Sequence, residues 1–335
     1  MNRLHTFVAL TLIFTCSLAT AQDRKKAFLN SKDAGNDFEI QGEYSGMVGD
    51  SVKVGIQVIA RGNGKFDSVG YIGGLPGDGW NPEENDKIPG TGMMKDGVCV
   101  LKPNPSDDGN ATGYGEIKDG VFNLYDANNQ RVAELAKVVR ESSTLKAKPP
   151  EGAVVLFDGS DVEQWKNGRL SDDKLLMEGC TSKQNFGSYQ LHLEFQLSFM
   201  PWATGQGRAN SGCYNQGRYE VQVLDSFGLT GEDNECGGLY KIAKPKVNMC
   251  FPPLSWQTYD IEFEAAKFDD SGQKKADAWI TVRHNDVVIH EKQTLPNRTT
   301  ASPLKESSAA GPIFLQNHGN PIRFRNIWVK PTDSK

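Results

Sequence analysis

The chain has 335 residues, which is long enough for two ordinary domains with separate cores. Its 37 Lys and Arg residues and 42 Asp and Glu residues give a net charge of −5, which provides no basic surface for nucleic acid or anionic membranes. The 35 glycines, the 16 prolines and the many alternating segments favour a β-rich, turn-rich architecture over a helical bundle or a membrane channel.

Residues 1–21 have the pattern of a secretory signal peptide. Arg3 lies in a short basic start, an apolar run extends from Phe7 to Leu18, and Ala19-Thr20-Ala21 provides a small-x-small cleavage site. The run is too short for a transmembrane helix, and no later stretch approaches about 18 uninterrupted apolar residues. We therefore expect a secreted or periplasmic protein with no membrane insertion.

Residues 23–148 form the first predicted unit, a β-rich N-terminal domain whose role the sequence does not indicate. Residues 38–44, 51–60 and 115–124 alternate apolar and polar positions as half-buried strands do. Residues 70–92 are rich in Gly, Pro and Asn, which predicts a long loop.

A polar, proline-bearing linker at residues 142–152 precedes the second predicted domain, residues 151–330. Alternation is clearer here, and Asn285-Asp286 suits the two-residue turn of a hairpin. With no helical period between them, these strands predict an antiparallel sandwich, so the expected fold class is all-β. The predicted strands are residues 189–197, 219–224, 257–264, 279–289 (the hairpin), 314–318 and 322–329.

The predicted strands carry acids, imidazoles, amides and a guanidinium at polar positions, a mixture that suits a sugar and proton transfer. The alternative is that these residues form a polar, solvent-facing rim of the sheet without a function. We interpret Asp260, Glu262 and Glu264 as such a solvated face. The set is His192, Glu194, Gln196, Glu220, Gln222, Gln316, His318 and Arg323.

The segment from Glu220 to Asp225 resembles the E-x-D-x-x-E strand of concanavalin-like glucanases, with Gln222 in place of the central acid. A retaining glycosidase needs two carboxyl groups ~5–5.5 Å apart, and strict alternation sends Asp225 to the opposite face. An ordinary retaining glucanase is therefore not expected. The same changes support an alternative function, a non-catalytic carbohydrate-binding protein with a degenerate cleft.

Several ordered motifs together resemble the 3-keto-disaccharide hydrolase family over about residues 151–330. The resemblance implies a concanavalin A-like jelly roll and a carbohydrate substrate oxidised at carbon 3. It does not cover residues 23–148, so the expected fold is this jelly roll preceded by the smaller β-rich domain that alternation predicts. The motifs are VLFDG (155–159), NSGCYNQGRYEVQVLDS (210–226), ECGGLY (235–240), WQTYDI (256–261), LQNHGNP (315–321) and RNIW (325–328).

A ketone at carbon 3 acidifies the hydrogen on carbon 2, so a base can remove that proton and eliminate the group on carbon 1. From residue type, Glu220 or Glu194 is the candidate base, and His318 or His192 the candidate acid for the leaving oxygen. Arg323 or a divalent cation is the candidate partner of the enolate oxygen. The candidate substrate-binding residues are Gln222, Gln196, Gln316, Arg323, Arg218 and Asn210.

The cysteines and histidines allow further expectations. Removal of the signal peptide leaves five cysteines without a C-x-x-C pair, and Cys236 with Cys250 is the candidate disulfide, buried free thiols being the alternative. His192, Glu194, Glu220 and His318 are competent metal ligands, so a divalent metal is a possible cofactor. His284 and His290, beside the predicted hairpin, are expected to be exposed. The oligomeric state is not predicted.

Overall fold

The computed structural model describes residues 26–105 and 112–332; the predicted signal peptide lies outside this part of the chain. Nearly all regular structure is β-strand, which confirms the all-β fold class. Within the described residues there is one α-helix, α1 (Asn36–Ile40), with 3₁₀ turns at Ser31–Asp33 and Gly205–Gly207. None of these described helices is long and apolar enough to cross a membrane.

The first unit is a closed antiparallel barrel, in the order β1-β10-β9-β8-β7-β6-β3-β2, with β4 and β5 as a short parallel pair beside it. Its strands are β1 (Gly42–Val48), β2 (Val52–Gly62), β3 (Lys65–Ile72), β4 (Leu75–Pro76), β5 (Gly79–Trp80), β6 (Ile88–Lys95), β7 (Val98–Pro103), β8 (Tyr114–Lys118), β9 (Val121–Tyr125) and β10 (Arg131–Val138). Since β1 pairs with both β2 and β10, the sheet closes on itself.

Three local predictions for this unit were wrong. Residues 38–44 are not one strand, because α1 ends at Ile40 and β1 begins only at Gly42. Residues 115–124 are a hairpin that turns at Asp119 and Gly120, both with positive φ. Residues 70–92 are not a single loop, because they contain β4, β5 and the start of β6.

The second unit is a sandwich of two antiparallel sheets. A seven-stranded sheet has the order β11-β24-β15-β18-β21-β22, with β13 also paired to β24, and a five-stranded sheet has the order β12-β14-β23-β16-β17. The strands are β11 (Val154–Phe157), β12 (Trp165–Lys166), β13 (Leu176–Met177), β14 (Cys180–Phe186), β15 (Tyr189–Leu197), β16 (Ser211–Asn215), β17 (Tyr219–Val223), β18 (Trp256–Glu264), β19 (Lys267–Phe268), β20 (Lys274–Ala276), β21 (Ala278–His284), β22 (Val287–Leu295), β23 (Gly311–Leu315) and β24 (Ile322–Pro331).

The core of the sandwich separates its two outer faces. Leu191 and Phe195 of β15 pack from the seven-stranded sheet into the same apolar cluster as Val221 and Val223 of β17 from the five-stranded sheet. Because side chains alternate along a strand, the polar residues of β15 and of β17 emerge on opposite sides of the sandwich. This geometry decides which candidate residues can share a site.

The barrel packs directly against the sandwich. Ile59, Val69 and Tyr71 on the outside of the barrel belong to the same buried cluster as the sandwich core. Arg140, just after β10, forms an ion pair with the buried Glu43 at 2.5 Å and lies 4.8 Å from the centre of the Phe251 ring. Apolar and charged contacts therefore join the two units.

Candidate active site

Glu220 lies in the middle of β17, on the outer face of the five-stranded sheet. Its neighbours Tyr219 and Val221 point into the core, so the carboxylate side chain is directed to the other side. Tyr214 of β16 is its directly paired residue across the strands. The Tyr214 hydroxyl donates a hydrogen bond to the Glu220 carboxylate and accepts one from Gln316 Nε2 at 3.1 Å. Glu220, Tyr214 and Gln316 therefore form one connected polar group.

The Glu220 carboxylate occupies space that only glycine leaves free. A Cβ atom placed on Gly212, the neighbouring residue on β16, would lie 2.2 Å from Glu220 Oε1. Glu220 is 3% exposed, and this burial raises the pKa of its carboxyl to about 7, although the Tyr214 hydrogen bond opposes the rise. Burial, together with the charge of Glu220, raises the pKa of Tyr214 far above its ordinary value, so the phenol stays protonated.

Amide side chains extend the polar face away from Glu220. Gln222 Nε2 donates to Gln206 Oε1 at 3.1 Å, and Asn210 Nδ2 donates to the same oxygen at 3.0 Å. Gln222 Oε1 and Asn210 Oδ1 are buried and have no hydrogen-bond partner among the described residues. Buried acceptors of this kind are costly unless something donates to them. The face therefore offers two acceptors to a ligand with hydroxyl groups.

Two loops hold the edge of β17 in place. Residues 236–240 run beside it, with Gly237 N donating to Gln222 O and Tyr240 N donating to Glu220 O. On the same strand, the Glu220 backbone N–H donates to Thr299 Oγ1 at 3.0 Å. Loops from distant parts of the chain thus fix the Glu220 backbone, which gives the carboxylate a defined position.

The structure does not bring His192 and Glu194 to this face. Both lie on β15, on the outer face of the seven-stranded sheet. Glu194 accepts from Arg325 Nε at 2.6 Å, and His192 Nδ1 lies 2.6 Å from Asp260 Oδ1. Asp260, expected to be solvated, is in fact part of this cluster. The prediction of a single polar groove was therefore wrong. Alternation along a strand shows which side chains share a face of that strand's sheet. It does not show which of the two sheets the strand joins.

These side chains hold the linker between the two units. Glu194 Oε1 accepts from the Lys146 backbone N–H, and Asn326 Nδ2 donates to Ala147 O at 3.0 Å. We name His192, Glu194, Asp260, Arg325 and Asn326 the linker clasp. Burial raises the pKa of Glu194, but hydrogen bonds from His192, Asn326, Arg325 and the Lys146 N–H outweigh it and lower the pKa to about 2. A carboxylate held in this way is structural.

Three other candidate substrate ligands are also occupied elsewhere. Gln196 Nε2 donates to Leu254 O at 2.9 Å on the seven-stranded sheet. Arg323 forms an ion pair with Glu178 at 3.2 Å on the same sheet. Arg218 donates to Lys305 O, Ser307 Oγ and Ala309 O, so it fixes that loop. The donor groups of these three side chains are thus engaged by other parts of the protein and do not join the polar group around Glu220.

His318 lies in the loop that follows β23, two residues beyond Gln316. It is exposed and has no hydrogen bond to any residue that the structure describes. This loop approaches the amide group, because Asn320 Oδ1 accepts from Asn210 N at 3.0 Å. His318 thus belongs to a loop at the margin of the face and is not in contact with Glu220.

The four predicted metal ligands do not form one site. His192 and Glu194 lie on one outer face, whereas Glu220 and His318 belong to the opposite side. Within residues 26–105 and 112–332, no three His, Cys, Asp or Glu side chains are grouped so as to hold a metal ion. The donor set therefore does not fit a divalent cation held by these four residues.

The glucanase-like pairing of two acids is absent from this face. Asp225 lies beyond the end of β17 and forms a buried ion pair with Arg208, whose Nε is 2.5 Å from Asp225 Oδ2. Arg208 also donates to Ala60 O of the barrel at 3.3 Å. Asp225 therefore contributes to the contact between the units and does not act as a second carboxylate beside Glu220.

The candidate disulfide partners are adjacent but unbonded. Cys236 and Cys250 are buried free thiols in hydrogen-bond contact, and Cys236 Sγ lies 3.2 Å from Tyr259 Oη. The alternative of buried free thiols thus describes this structure. The two cysteines chosen from the sequence are nevertheless in contact.

His284 and His290 are buried, contrary to expectation. Burial lowers the pKa of His284 to about 3 and that of His290 to about 4. His284 Nε2 contacts Gln257 Oε1, and His290 Nε2 contacts Gly237 O. Both histidines are therefore neutral core residues, and His290 contacts the loop of residues 236–240 that runs beside β17.

Tyr214 and Gln206 are the site residues that sequence reasoning missed. Tyr214 stands within the NSGCYNQGRYE motif, but its importance depends on the register that sets it opposite Glu220. Gln206 lies in a 3₁₀ turn, where alternation gives no information. One signal was available in the sequence: Tyr214 lies two residues after Gly212, so the two residues share a face of the same strand.

Comparison with known proteins identifies the family of residues 152–330. The family described as "3-keto-alpha-glucoside-1,2-lyase-like domain" matches residues 152–330, which include the whole face around Glu220. No curated protein matches the chain. Two solved structures resemble it, both from Parabacteroides distasonis ATCC 8503 and both described as a "putative glycosyl hydrolase". One is 33% identical, covers 54% of this chain and 84% of its own, and has a TM-score of 0.49. The other is 18% identical, covers 58% and 99%, and has a TM-score of 0.39. On the family match, this chain belongs to the 3-keto-alpha-glucoside-1,2-lyase-like domain family.

Proposed function

We propose that the protein is an exported enzyme that cleaves 3-keto-glycosides, including 3-keto-disaccharides, by proton abstraction, elimination and hydration. The observation that carries the proposal is the buried Glu220 carboxyl with a pKa of about 7, held between Tyr214 and Gly212. A general base works best when its pKa lies near the working pH. The family match to residues 152–330 supports the same substrate class.

In this mechanism, Glu220 takes the proton from carbon 2 of the sugar. The electron pair of that C–H bond forms the enolate of the carbon 3 ketone. When the ketone is restored, the bond from carbon 1 to its leaving oxygen breaks, and a double bond forms between carbons 1 and 2. The leaving oxygen gains a proton from His318 or from water, and water later adds across the double bond. No carboxylate nucleophile is needed, which agrees with the ion pair that engages Asp225.

Tyr214 and the amides support the base in different ways. Tyr214 touches Glu220 and not the reacting atoms, so it is a positioning residue that orients the carboxylate and stabilises its charged form. Gln222 Oε1 and Asn210 Oδ1 would accept hydrogen bonds from sugar hydroxyls, which relieves the cost of leaving them unpaired. The amide pair thus binds and orients the ring.

A carbohydrate-binding protein without catalytic activity is the second candidate function. It is favoured by one observation, that Asp225, the second acid of the glucanase-like strand, is engaged by Arg208. Glycoside hydrolysis of the usual kind uses two carboxyl groups. Elimination does not, so the two candidates differ in whether a 3-keto-glycoside is consumed.

The experiment offers purified protein a nitrophenyl 3-keto-glucoside and the corresponding unoxidised glucoside at pH 5–9. We expect nitrophenol release from the oxidised compound only, because only the ketone makes carbon 2 acidic. If neither compound is consumed but calorimetry detects saturable sugar binding, the enzyme proposal fails and the binding protein replaces it. Turnover of the unoxidised compound at an equal rate would contradict the elimination mechanism.

Export is tested independently of the reaction. Expression of the full chain in a bacterial host, followed by N-terminal sequencing of the extracytoplasmic fraction, is expected to give a mature protein beginning at Gln22. An uncleaved chain found only in the cytoplasm would contradict the proposed localisation.

A further inference from the structure

The N-terminal barrel encloses a cavity of about 320 Å³ at one of its two ends. The cavity lies where β2, β6 and β8 begin and where β3, β7 and β9 end, so it is the mouth of the barrel. Ile56, Leu101, Phe122 and Leu124 line it from the inside. Eight-stranded barrels have interiors just wide enough for packed side chains or one small ligand.

The opposite end of the barrel is closed. Helix α1 lies there, since its Asp37 carboxylate accepts from Gly64 N in the β2–β3 turn. Phe38 and Ile40 of α1, with Phe199 of the sandwich, pack into the barrel's apolar cluster. As far as residues 26–105 and 112–332 show, a ligand would therefore enter from the end that holds the cavity.

The rim of the cavity is unusually apolar for a solvent-exposed edge. Ile72, Ile88 and Val132 all line it and are 42%, 39% and 42% exposed. Exposed aliphatic residues scattered singly are ordinary, but a group around the mouth of a cavity marks a binding site.

The lining selects for an uncharged, apolar ligand. Phe122 presents its ring to the cavity from the inside, beside the aliphatic side chains of Ile56, Leu101 and Leu124. Tyr71, Tyr114 and Tyr125 occupy the alternate positions of their strands, so their rings lie on the outer wall of the barrel. The charged lining residues, Lys102 and Asp126, are of opposite sign.

We propose that this cavity binds an uncharged aromatic molecule of one or two rings, at a site separate from the sugar face around Glu220. Size supports this class, because an apolar cavity of about 150 Å³ is known to take up benzene, and 320 Å³ is about twice that volume. A sugar would leave its hydroxyls unpaired against the aliphatic lining.

The test measures binding of 2-naphthol to the full-length mature protein by calorimetry, with decanoate and glucose as comparison probes. The blocking variant is Gly70→Leu. Gly70 lines the cavity, and its new Cβ would lie in ordinary contact, 3.4 Å from Ile88 Cβ. The control is Gly207→Leu, an outward glycine of the sandwich with open space around it.

We expect wild type and Gly207→Leu to bind 2-naphthol alike, and Gly70→Leu to bind it at least 10-fold more weakly. Phe122→Leu removes the inward-facing ring and serves if Gly70→Leu does not fold; we expect a loss of at least 3-fold. Equal binding by wild type and the cavity variants would overturn the proposal. So would wild-type binding of decanoate or glucose in preference to 2-naphthol, or no binding of any probe.

Discussion

At the scale of single residues, Glu220 is subject to two opposing effects. Burial against Gly212 raises the pKa of its carboxyl, and the hydrogen bond from Tyr214 lowers it, with a net pKa of about 7. A carboxylate buried without that bond would be protonated over more of the neutral range and would be a poorer base. Tyr214 therefore keeps a buried acid usable near neutral pH.

The pH dependence of turnover follows from this balance. Because the deprotonated carboxylate is the base, we expect kcat/KM to rise with pH through an apparent pKa of about 7. In Tyr214→Phe the donor that stabilises the charged form is lost, so the rising limb should move to higher pH by about one unit. Gln316→Ala, which removes only the donor to Tyr214, is the matched control and should leave the limb in place. If the rising limb of the pH profile of Tyr214→Phe were unchanged or moved to lower pH, the result would contradict the proposed role of the phenol.

Residue-level sequence reasoning succeeded where alternation was sufficient. It placed Glu220 and Gln222 on one polar face and gave the side chains their chemistry. It could not identify Tyr214, because cross-strand register is a property of two strands. It also joined Glu194 to Glu220, because the pattern of one strand does not say to which sheet the strand belongs.

At the scale of elements, the linker clasp explains why so many charged groups are buried on β15 and β24. His192, Glu194 and Arg325 interact with one another, Glu194 accepts from the Lys146 backbone N–H, and Asn326 donates to Ala147 O. For Glu194, the pKa in the folded protein lies below its unfolded value of about 4.3, so its ionised form stabilises the fold at neutral pH. That contribution is lost as the pH falls through the folded value of about 2.

Replacing Glu194 by Gln should therefore lower stability and loosen the linker. We expect the free energy of unfolding at pH 7 to fall by about 1.5–3 kcal/mol, the range for hydrogen bonds to a charged group. Denaturant titration measures this loss, and limited proteolysis should show faster cleavage near residue 146. Glu262→Gln on the neighbouring strand is the control. If both variants matched wild type in both measurements, the clasp would not be what holds the linker.

At the scale of the whole molecule, the barrel and the sandwich share one buried cluster, and an arginine of each unit reaches the other unit. Arg208, paired with Asp225, donates to Ala60 O of the barrel. Arg140, paired with the barrel's Glu43, lies 4.8 Å from the centre of the Phe251 ring. Buried carboxylates are costly to leave without their cation. The interface is therefore specific as well as apolar.

Arg140→Ala tests the buried pair that holds one of these two arginines. The variant leaves Glu43, which is 1% exposed, without its cation, and we expect a loss of about 3–5 kcal/mol in the free energy of unfolding. Arg131→Ala is the matched control, because its ion pair with Glu134 is more than half exposed on both sides and should cost less than about 1 kcal/mol. Equal losses from the two variants in urea titrations would contradict the stabilising role of the buried Arg140–Glu43 pair.

The fold itself was predictable to different depths in the two units. In the sandwich, strands 189–197, 219–224 and 257–264 and the hairpin at Asn285-Asp286 followed from alternation and turn chemistry, and the structure confirms them. In the first unit, closure depends on β1 pairing with β10, nearly 90 residues later, which no local pattern specifies. Helix α1 was hidden because Phe38 and Ile40 alternate as a strand would.

The most direct test of the central claim compares the turnover of a 3-keto-glucoside by Glu220→Gln and by Glu194→Gln. Both substitutions are nearly isosteric, and the two residues lie on opposite outer faces of the sandwich. Because a general base contributes about 10²–10⁴-fold, we expect Glu220→Gln to lose at least about 100-fold in turnover while sugar binding persists. Glu194→Gln should keep near-wild-type turnover at a temperature where it is fully folded. Near-full turnover in Glu220→Gln together with a large loss in Glu194→Gln would contradict the account and place the chemistry on the seven-stranded sheet.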